Sequence, residues 1–566
     1  MIKARIKAQQ KDANLSDYKK VFAEFSWKRF REELLMGREQ INIVYYAIDR
    51  WAEDLKRAQR NALIYERYGK VERYTFSQLR DISCRWADMF LRYGIRPSDI
   101  VSVLLYPSPS IYFAMLGCAR MGAIICPLFP ESTYEELEER ISNCLPKAIV
   151  THPELAEYIP LDHASLKYVF LIEGPLLGLH RREILIEQGL KEEVKYLIRW
   201  GTDKSPLYLI HTSGSTGSPK GVVHAHGDMT GILMTARFVL NIREDDIVWT
   251  DSSPASVIGI VYGAFAPWLC GVTTFVSGDP HTPSHIYRLI EKHRITIWYT
   301  TPSTIRRLIQ EGEDLVRRYD LSSLRNILSV GEPLTPELFY WIRDNMGLSV
   351  HETWWMAETG IICISNFPSM DIKPGSMGRS VPGIRAAIVD DRGNELPPLS
   401  MGELVLKIGW PGLMIGLWKD RKRYAQYFQG CWFHTGDMAF QDEEGYFFHQ
   451  GRSDNLLKID GERLIGPYEI ERILYMHPSI REAAVISKKE APGSGISHIK
   501  AFISLRPPLK PSNRLKQNIR AYIRGNLSED VVIREIEFME TLPKTKDGKI
   551  DRRILRAQDL GIRPIG

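Results

Sequence analysis

Short apolar runs bounded by turn residues alternate with longer amphipathic stretches over most of the chain. From about Asp99 onward, DIVSVLLY, KAIVTHP, YLIHTSG, VTTFVSG, TIWYTTP and NILSVGEP are strand-length and rich in β-branched residues. That texture predicts parallel-rich sheets covered by the intervening helices. Residues 15–60 read differently: FAEFSWKRFREELL and AIDRWAEDLKRAQ are polar and amphipathic, predicting helices that pack as an N-terminal cap rather than as a domain. After Pro382, GIRAAIVDDRGNELPPLSMGELVLKIG predicts a hairpin turned at a glycine and a further strand, a small β unit. A basic, loop-rich passage, GRSDNLLKIDGERLIGP, then leads into a helix at EIERILYMHP, strands at AAVISKKE and KAFISL, and a helix around KQNIRAYIRGNL.

The expected class is therefore α/β. Residues 1–453 form a large N-terminal domain of parallel-rich sheets layered with helices plus the small β unit, with 1–60 as its helical extension. Residues 454–566 form a smaller, mobile α+β domain. No internal repeat or low-complexity tract is evident.

Composition narrows the class without choosing a chemistry. Over 566 residues, 44% are hydrophobic and 25% charged, which excludes collagen-like, disordered and disulfide-scaffold proteins. The excess of 74 Lys and Arg over 69 Asp and Glu, +5, is too small at this length to imply nucleic acid as a partner. Seven cysteines, odd in number and scattered without a C-x-x-C pair, suggest neither a zinc knuckle nor a disulfide framework, and favour a reducing compartment. The basic start lacks a following apolar segment, and the apolar stretch Phe113–Phe129 is interrupted by Arg120. The expectation is a cytoplasmic protein without a membrane span. No feature of the sequence specifies an oligomeric state.

The most informative string is Thr212-Ser213-Gly214-Ser215-Thr216-Gly217-Ser218-Pro219-Lys220-Gly221, directly after the strand-like YLIH. Glycines let the backbone approach an anion, hydroxyls and N–H groups donate, and Lys220 adds charge, so polyphosphate is the natural ligand. It is not a Walker A loop, because Gly217 does not directly precede the lysine.

This string resembles the signature of the AMP-forming acyl-CoA synthetases, within the adenylate-forming superfamily. Five more motifs of that family follow in order: Val330-Gly331-Glu332-Pro333, Thr353-Trp354-Trp355-Met356-Ala357-Glu358-Thr359-Gly360, His434-Thr435-Gly436-Asp437, Gly451-Arg452-Ser453-Asp454 and Pro543-Lys544-Thr545-Lys546-Asp547-Gly548-Lys549. The N-terminal helical segment and the Trp-Trp pair look most like the acetyl-CoA synthetase branch.

The resemblance implies two steps. A carboxylate and ATP give an acyl-adenylate and diphosphate, and the thiol of coenzyme A then displaces AMP. An anionic carboxylate attacking an anionic phosphate needs cations to offset developing charge. The resemblance gives that task to Lys549 and the holding of Mg2+ to Glu358, a hard oxygen ligand. ATP and AMP contacts are implied for Thr212, Ser213, Gly214, Ser215, Thr216, Gly217 and Lys220 at the phosphates. Gly331, Glu332, Pro333, Glu352, Thr353 and Trp354 match the purine pocket, with Trp354 stacking on adenine and Glu352 accepting from its amino group. Asp437 is implied for the ribose hydroxyls, and Arg452 and Arg463 for ribose and phosphate, tasks that suit the planar fork of arginine. The second step follows rotation of the C-terminal domain about Asp454, bringing Gly461 beside the pantetheine channel.

Acyl length is read from Val257, Ile258, Val330 and Trp355. An indole at 355 closes the tunnel, as in the acetate enzymes, so the expected reaction is ATP + acetate + CoA = acetyl-CoA + AMP + diphosphate. Propionate comes next, because one methylene in such a pocket is worth about 1–3 kcal/mol. Three departures stand out: Ser256 replaces a shielding aromatic, Ala357 replaces a phosphate-binding threonine, and Leu464-Ile465-Gly466 adds one residue after Arg463. They leave open a ligase for a larger or branched acid, and a non-catalytic sensor of AMP or acyl-adenylate. An enzyme serving a carrier protein is a third reading, disfavoured by Trp355 and by the lack of an adjoining carrier domain. Lys549, alone on an exposed loop, is also a target for a lysine acetyltransferase and deacetylase, since acetylation removes its charge.

Overall fold

A computed structural model describes residues 6–8, 10, 12–178, 182–213, 219–459, 463–489, 497–527, 531–545 and 550–560. The six apolar runs all form strands: Ile100–Leu104, Ala148–Thr151, Pro206–Ser213, Thr273–Ser277, Ile297–Thr300 and Asn326–Ser329. They fall into two sheets among the described residues. One sheet has eight strands, with Ile124–Leu128, Ile100–Leu104, Ala148–Thr151 and Tyr168–Leu171 parallel at its centre. The other has nine, with Thr273–Ser277, Ile247–Thr250, Ile297–Thr300, Asn326–Ser329 and Val350–Trp354 running parallel. Strands buried on both faces must read as continuous apolar runs, which is why they are visible in the sequence.

The nine-stranded sheet starts earlier than the apolar runs suggest. Asn61–Arg67 and Lys70–Thr75 form an antiparallel hairpin on its edge, turned at Tyr68 and Gly69, both at positive φ. A two-residue turn with two left-handed residues matches the twist of the flanking strands.

The cap is also shorter in helix than its periodicity suggests. FAEFSWKRFREELL is split into Tyr18–Glu24 and Trp27–Leu35, with Asp17 and Ser26 accepting from backbone N–H groups at the two N-termini. AIDRWAEDLKRAQ contributes one wide turn, Tyr45–Asp49, and Arg50–Ala52 before it leaves helix altogether. Its anchor is polar. Asp49 forms a fully buried bidentate pair with Arg120, 2.6 and 2.9 Å, and also accepts from Tyr196 at 2.7 Å. The arginine that interrupts the Phe113–Phe129 stretch is thus a buried pin for the cap.

The β unit after Pro382 is an antiparallel sheet in which Gly402–Lys407 and Trp432–Gln441 pair, with Phe447–Arg452 beside the latter. Beyond it, the passage expected as loop contains a short hairpin, Leu457–Ile459 with Arg463–Ile465. The helix Pro467–Tyr475, the strands Ile480–Lys489, Ser497–Leu505 and Ile533–Phe538, and the helix Asn513–Asn526 then enclose an apolar core of their own around Ile470, Leu474, Val485, Ile503 and Ile519. Among the described residues, no helix is long and apolar enough to cross a membrane.

Candidate active site

The parallel strand Val350–Trp354 ends beside a cavity of about 490 Å3, and four of the six motifs contribute residues to its lining. Gly331, Glu332, Pro333, Glu352, Thr353, Trp354, Trp355, Asp437 and Arg452 line it. The C-terminal part closes the opposite side with Pro467, Tyr468, Glu471, Tyr475, Ile550 and Arg552.

Trp354 is fixed by polar contact. Its Nε1–H donates to Asp437 Oδ2 at 2.8 Å, tying the last residue of a parallel strand to the antiparallel sheet. Asp437 also lies 3.3 Å from His449 Nε2 and accepts from Arg452 Nη1 at 3.2 Å. Burial works to raise the Asp437 carboxyl, but His449, Arg452 and the Trp354 indole together hold it below its ordinary range. Gly436 makes the close approach of Arg452 possible: its φ is +72°, and a Cβ would come within 2.9 Å of the guanidinium.

Glu352 has the opposite environment. Its only described donor is the Leu334 N–H, at 3.2 Å, and burial pushes its carboxyl up to about 8. The neighbouring Tyr468 hydroxyl is buried without a hydrogen-bond partner. A neutral carboxyl offers one donor and one acceptor to the cavity. Glu332 instead accepts from Ser303 and Arg306, and Arg306 stacks over the Tyr475 ring at 5.0 Å.

Glu358 and Lys220 form a buried ion pair behind the motif loop, and the Tyr427 hydroxyl joins both, donating to Glu358 Oε1 at 3.1 Å. The Tyr427 ring stacks on Phe433 at 5.5 Å, which orients the hydroxyl. Ala357, where a hydroxyl is missing, is held through its backbone: its carbonyl lies 2.7 Å from His224 Nε2, and His224 Nδ1 is 2.7 Å from Asp228.

On the acyl side, the Trp355 indole donates to the Tyr299 hydroxyl at 3.0 Å and meets the Tyr262 ring edge-on at 5.0 Å. Both tyrosines are fully buried, and Tyr262 is itself tied to Thr235 at 2.9 Å and to the Ile362 N–H at 2.8 Å. Val330 is buried in the same apolar cluster, with Val257 and Ile258 packed against it. Ser256 caps the short helix Val257–Ile260, accepting from the Gly259 N–H at 3.1 Å and donating to the Ser253 carbonyl at 2.7 Å.

The remaining expected residues divide. Thr212 pairs with Lys220 across a hairpin of strands, and its hydroxyl is buried without a partner. Asp454 is exposed in a short turn, 3.9 Å from Arg452. Gly214, Ser215, Thr216, Gly217, Gly461 and Lys549 lie outside the described residues, as do the side chains of Ser213 and Arg463. Arg306, Tyr427, His449, Tyr468 and Tyr475 were not legible as site residues. They belong to no motif, and only the alternation of buried and exposed positions on Trp432–Gln441, which turns Asp437 inward, hinted at a polar cluster there.

Two family models match the chain: AMP-binding enzyme over residues 49–418, and AMP-binding enzyme C-terminal domain over 469–549. The chain belongs to the AMP-binding enzyme family. Among its relatives, an acetyl-coenzyme A synthetase of Bacillus subtilis is 41% identical over 97% of this chain and 96% of its own. One of Methanothrix soehngenii is 32% identical over 93% of this chain and 83% of its own. A crystal structure of an anthranilate CoA ligase in complex with anthranoyl-AMP superposes with a TM-score of 0.82 at 27% identity, covering 92% of this chain and 98% of that one.

Proposed function

We propose that this protein is an AMP-forming acetate–CoA ligase. The observation that carries the acid specificity is Trp355, a cavity-lining indole locked by Tyr299 and Tyr262. A side chain with its hydrogen bond made and its face packed cannot swing aside for a longer acyl chain without leaving the Nε1–H and the Tyr299 hydroxyl unpaired. The names borne by the relatives in Bacillus and Methanothrix support the same substrate.

The chain's own groups account for the first step. Trp354 presents an aromatic face for the purine, Glu352 a polar edge, and Asp437 an ionised carboxylate to accept from both ribose hydroxyls. Arg452 reaches the ribose and α-phosphate side, and Lys220 supplies positive charge beside the hydroxyl-rich loop. Glu358, a buried hard carboxylate flanked by that ammonium, fits as the protein ligand of Mg2+, which when bound would neutralise phosphate charge. Lys549 is the cation for the developing charge at the acyl and bridging oxygens; its neighbour in the chain, Ile550, lines the cavity, which supports that role.

The second step requires the cavity to open toward coenzyme A. Residues 454–566 are the moving part in this reading, Asp454 the hinge, and Gly461 the residue brought beside the pantetheine arm. A ligase for a larger acid is the second reading, and Ser256 favours it, because a small capping side chain leaves more room than an aromatic. An AMP-release assay over acetate, propionate, butyrate, isobutyrate and benzoate, with wild type and Trp355→Gly, tests both. Acetate should lead, and the glycine variant should shift activity to longer acids. A lead by a larger acid in the wild type would transfer control of the pocket to Ser256.

A further inference from the structure

Behind the phosphate-loop strand, three chemistry-bearing side chains meet that the proposed reaction does not use. Cys126 lies on Ile124–Leu128, Cys144 ends the helix Tyr134–Cys144, and His211 lies on Pro206–Ser213, three residues before Gly214. The two sulfurs are 3.9 Å apart, His211 Nδ1 is 3.7 Å from the Cys126 sulfur, and all three ligand atoms lie within 4.8 Å of one another. Both cysteines are fully buried and neither is in a disulfide.

We propose that Cys126, Cys144 and His211 form a structural site for a soft divalent cation of the zinc class. The distances fit. Zinc–sulfur bonds of about 2.3 Å and zinc–nitrogen bonds of about 2.0–2.1 Å at tetrahedral angles put sulfurs about 3.8 Å apart, and sulfur and nitrogen about 3.6 Å apart.

The ring is oriented for ligation. His211 Nε2 lies 3.2 Å from Asn143 Oδ1, an acceptor, so it carries the proton, and the Nδ1 lone pair faces the thiols. A ligating histidine held by an oxygen acceptor on its other nitrogen is the usual outer arrangement of such sites. Ser102 pairs with Cys126 in register, and its buried hydroxyl has no partner other than that thiol. Binding would release the two thiol protons to solvent, leaving two thiolates and a neutral imidazole on the dication, a site of zero net charge.

The position gives the site a consequence. A bound ion would clamp the helix Tyr134–Cys144 to the strand that ends in Thr212 and Ser213, stiffening the base of the phosphate loop from beneath. The ion would be structural, since none of its three ligands lines the proposed substrate cavity.

The test uses the full-length protein, purified reduced, stripped with a chelator, and incubated with zinc or cobalt before gel filtration. One equivalent of metal per chain should be retained, the cobalt form should show thiolate-to-metal charge-transfer absorption, and thermal unfolding should shift upward with zinc. Cys126→Ser and His211→Ala should each lower retention at least about tenfold and abolish the absorption. Circular dichroism of the metal-free variants against metal-free wild type separates loss of ligation from loss of fold. Stoichiometric retention that survives in the Cys126→Ser, His211→Ala double variant would overturn the proposal. So would absence of retention in the wild type, including the case in which oxidant joins Cys126 to Cys144 and no metal is held.

Discussion

The indole Nε1–H of Trp354 donates to Oδ2 of Asp437 at 2.8 Å, so the residue proposed to stack on the purine also orients the carboxylate proposed to grip the ribose. The two lie on different sheets, and in that proposal the contact joins base and sugar recognition. Trp354→Phe keeps an aromatic face but removes the donor. Hydrogen bonds to charged groups contribute about 1.5–3 kcal/mol to stability, so the unfolding free energy should fall by about that much, and AMP binding measured by calorimetry should weaken because Asp437 loses the donor that orients it. Unchanged affinity would mean that Asp437 is oriented by His449 and Arg452 alone.

Glu358→Gln should damage both stability and chemistry. Lys220 and Glu358 are nearly buried, and removing one charge of such a pair costs about 3–5 kcal/mol through the ion left behind. Tyr427→Phe removes a hydroxyl bonded to both charges and leaves the ion pair in place, so it should cost less, about 1.5–3 kcal/mol. Urea unfolding orders the two variants, and carboxylate-dependent ATP–diphosphate exchange should fall much further in Glu358→Gln.

Asp49→Asn tests the pin under the cap. The Asp49–Arg120 pair is fully buried, and unpairing Arg120 should destabilise by about 3–5 kcal/mol. The KM for ATP should stay the same, because neither residue lines the cavity. A silent substitution in denaturant titration would show that Ser83 and the Leu197 carbonyl, which also accept from Arg120, suffice to hold it.

The burial that raises Glu352 to about 8 gives stability a definite pH slope. The folded protein keeps a proton that the unfolded chain releases above its ordinary value of 4.5. Stability from this group is therefore full below that value, falls as pH rises toward about 8, and is level beyond. Glu352→Gln, which keeps a donor and an acceptor but cannot ionise, should lack that slope. Unfolding free energies of both proteins across the interval check the sign; parallel curves would place the proton elsewhere.

Acetylation of Lys549, or Lys549→Gln, should suppress adenylation while sparing thioester formation from supplied acyl-adenylate. Single-turnover measurement of the two half-reactions distinguishes them. Equal loss in both would remove Lys549 from the adenylation role.

Local pattern carried much of this architecture. The buried parallel strands are continuous apolar runs, and the motif residues that line the cavity come from strand ends and the loops after them, apart from Asp437, which lies within Trp432–Gln441. The Tyr68–Gly69 hairpin was hidden because its second strand, Lys70–Thr75, is polar and has no buried residue, so it breaks the apolar-run pattern. Partners made by tertiary contact were hidden for a different reason: Lys220 and Glu358 are 138 residues apart, and Cys126 and His211 are 85. No spacing rule joins such residues until the sheets do. Arg306 and Tyr475 likewise meet only because the C-terminal helix is packed against the cavity.

The polar pin beneath the cap also orders events during synthesis. Asn42 Nδ2 donates to the carbonyls of Ala119 and Arg199, Asp49 pairs with Arg120 and Tyr196, and the Ile43 N–H donates to His226. The cap helices therefore wait for partners made up to about 180 residues later, roughly 10–35 s at about 5–20 residues per second. During that interval the apolar faces of the cap and the Asp49 carboxylate are without their mates, so the cap is made well before it can be locked in place.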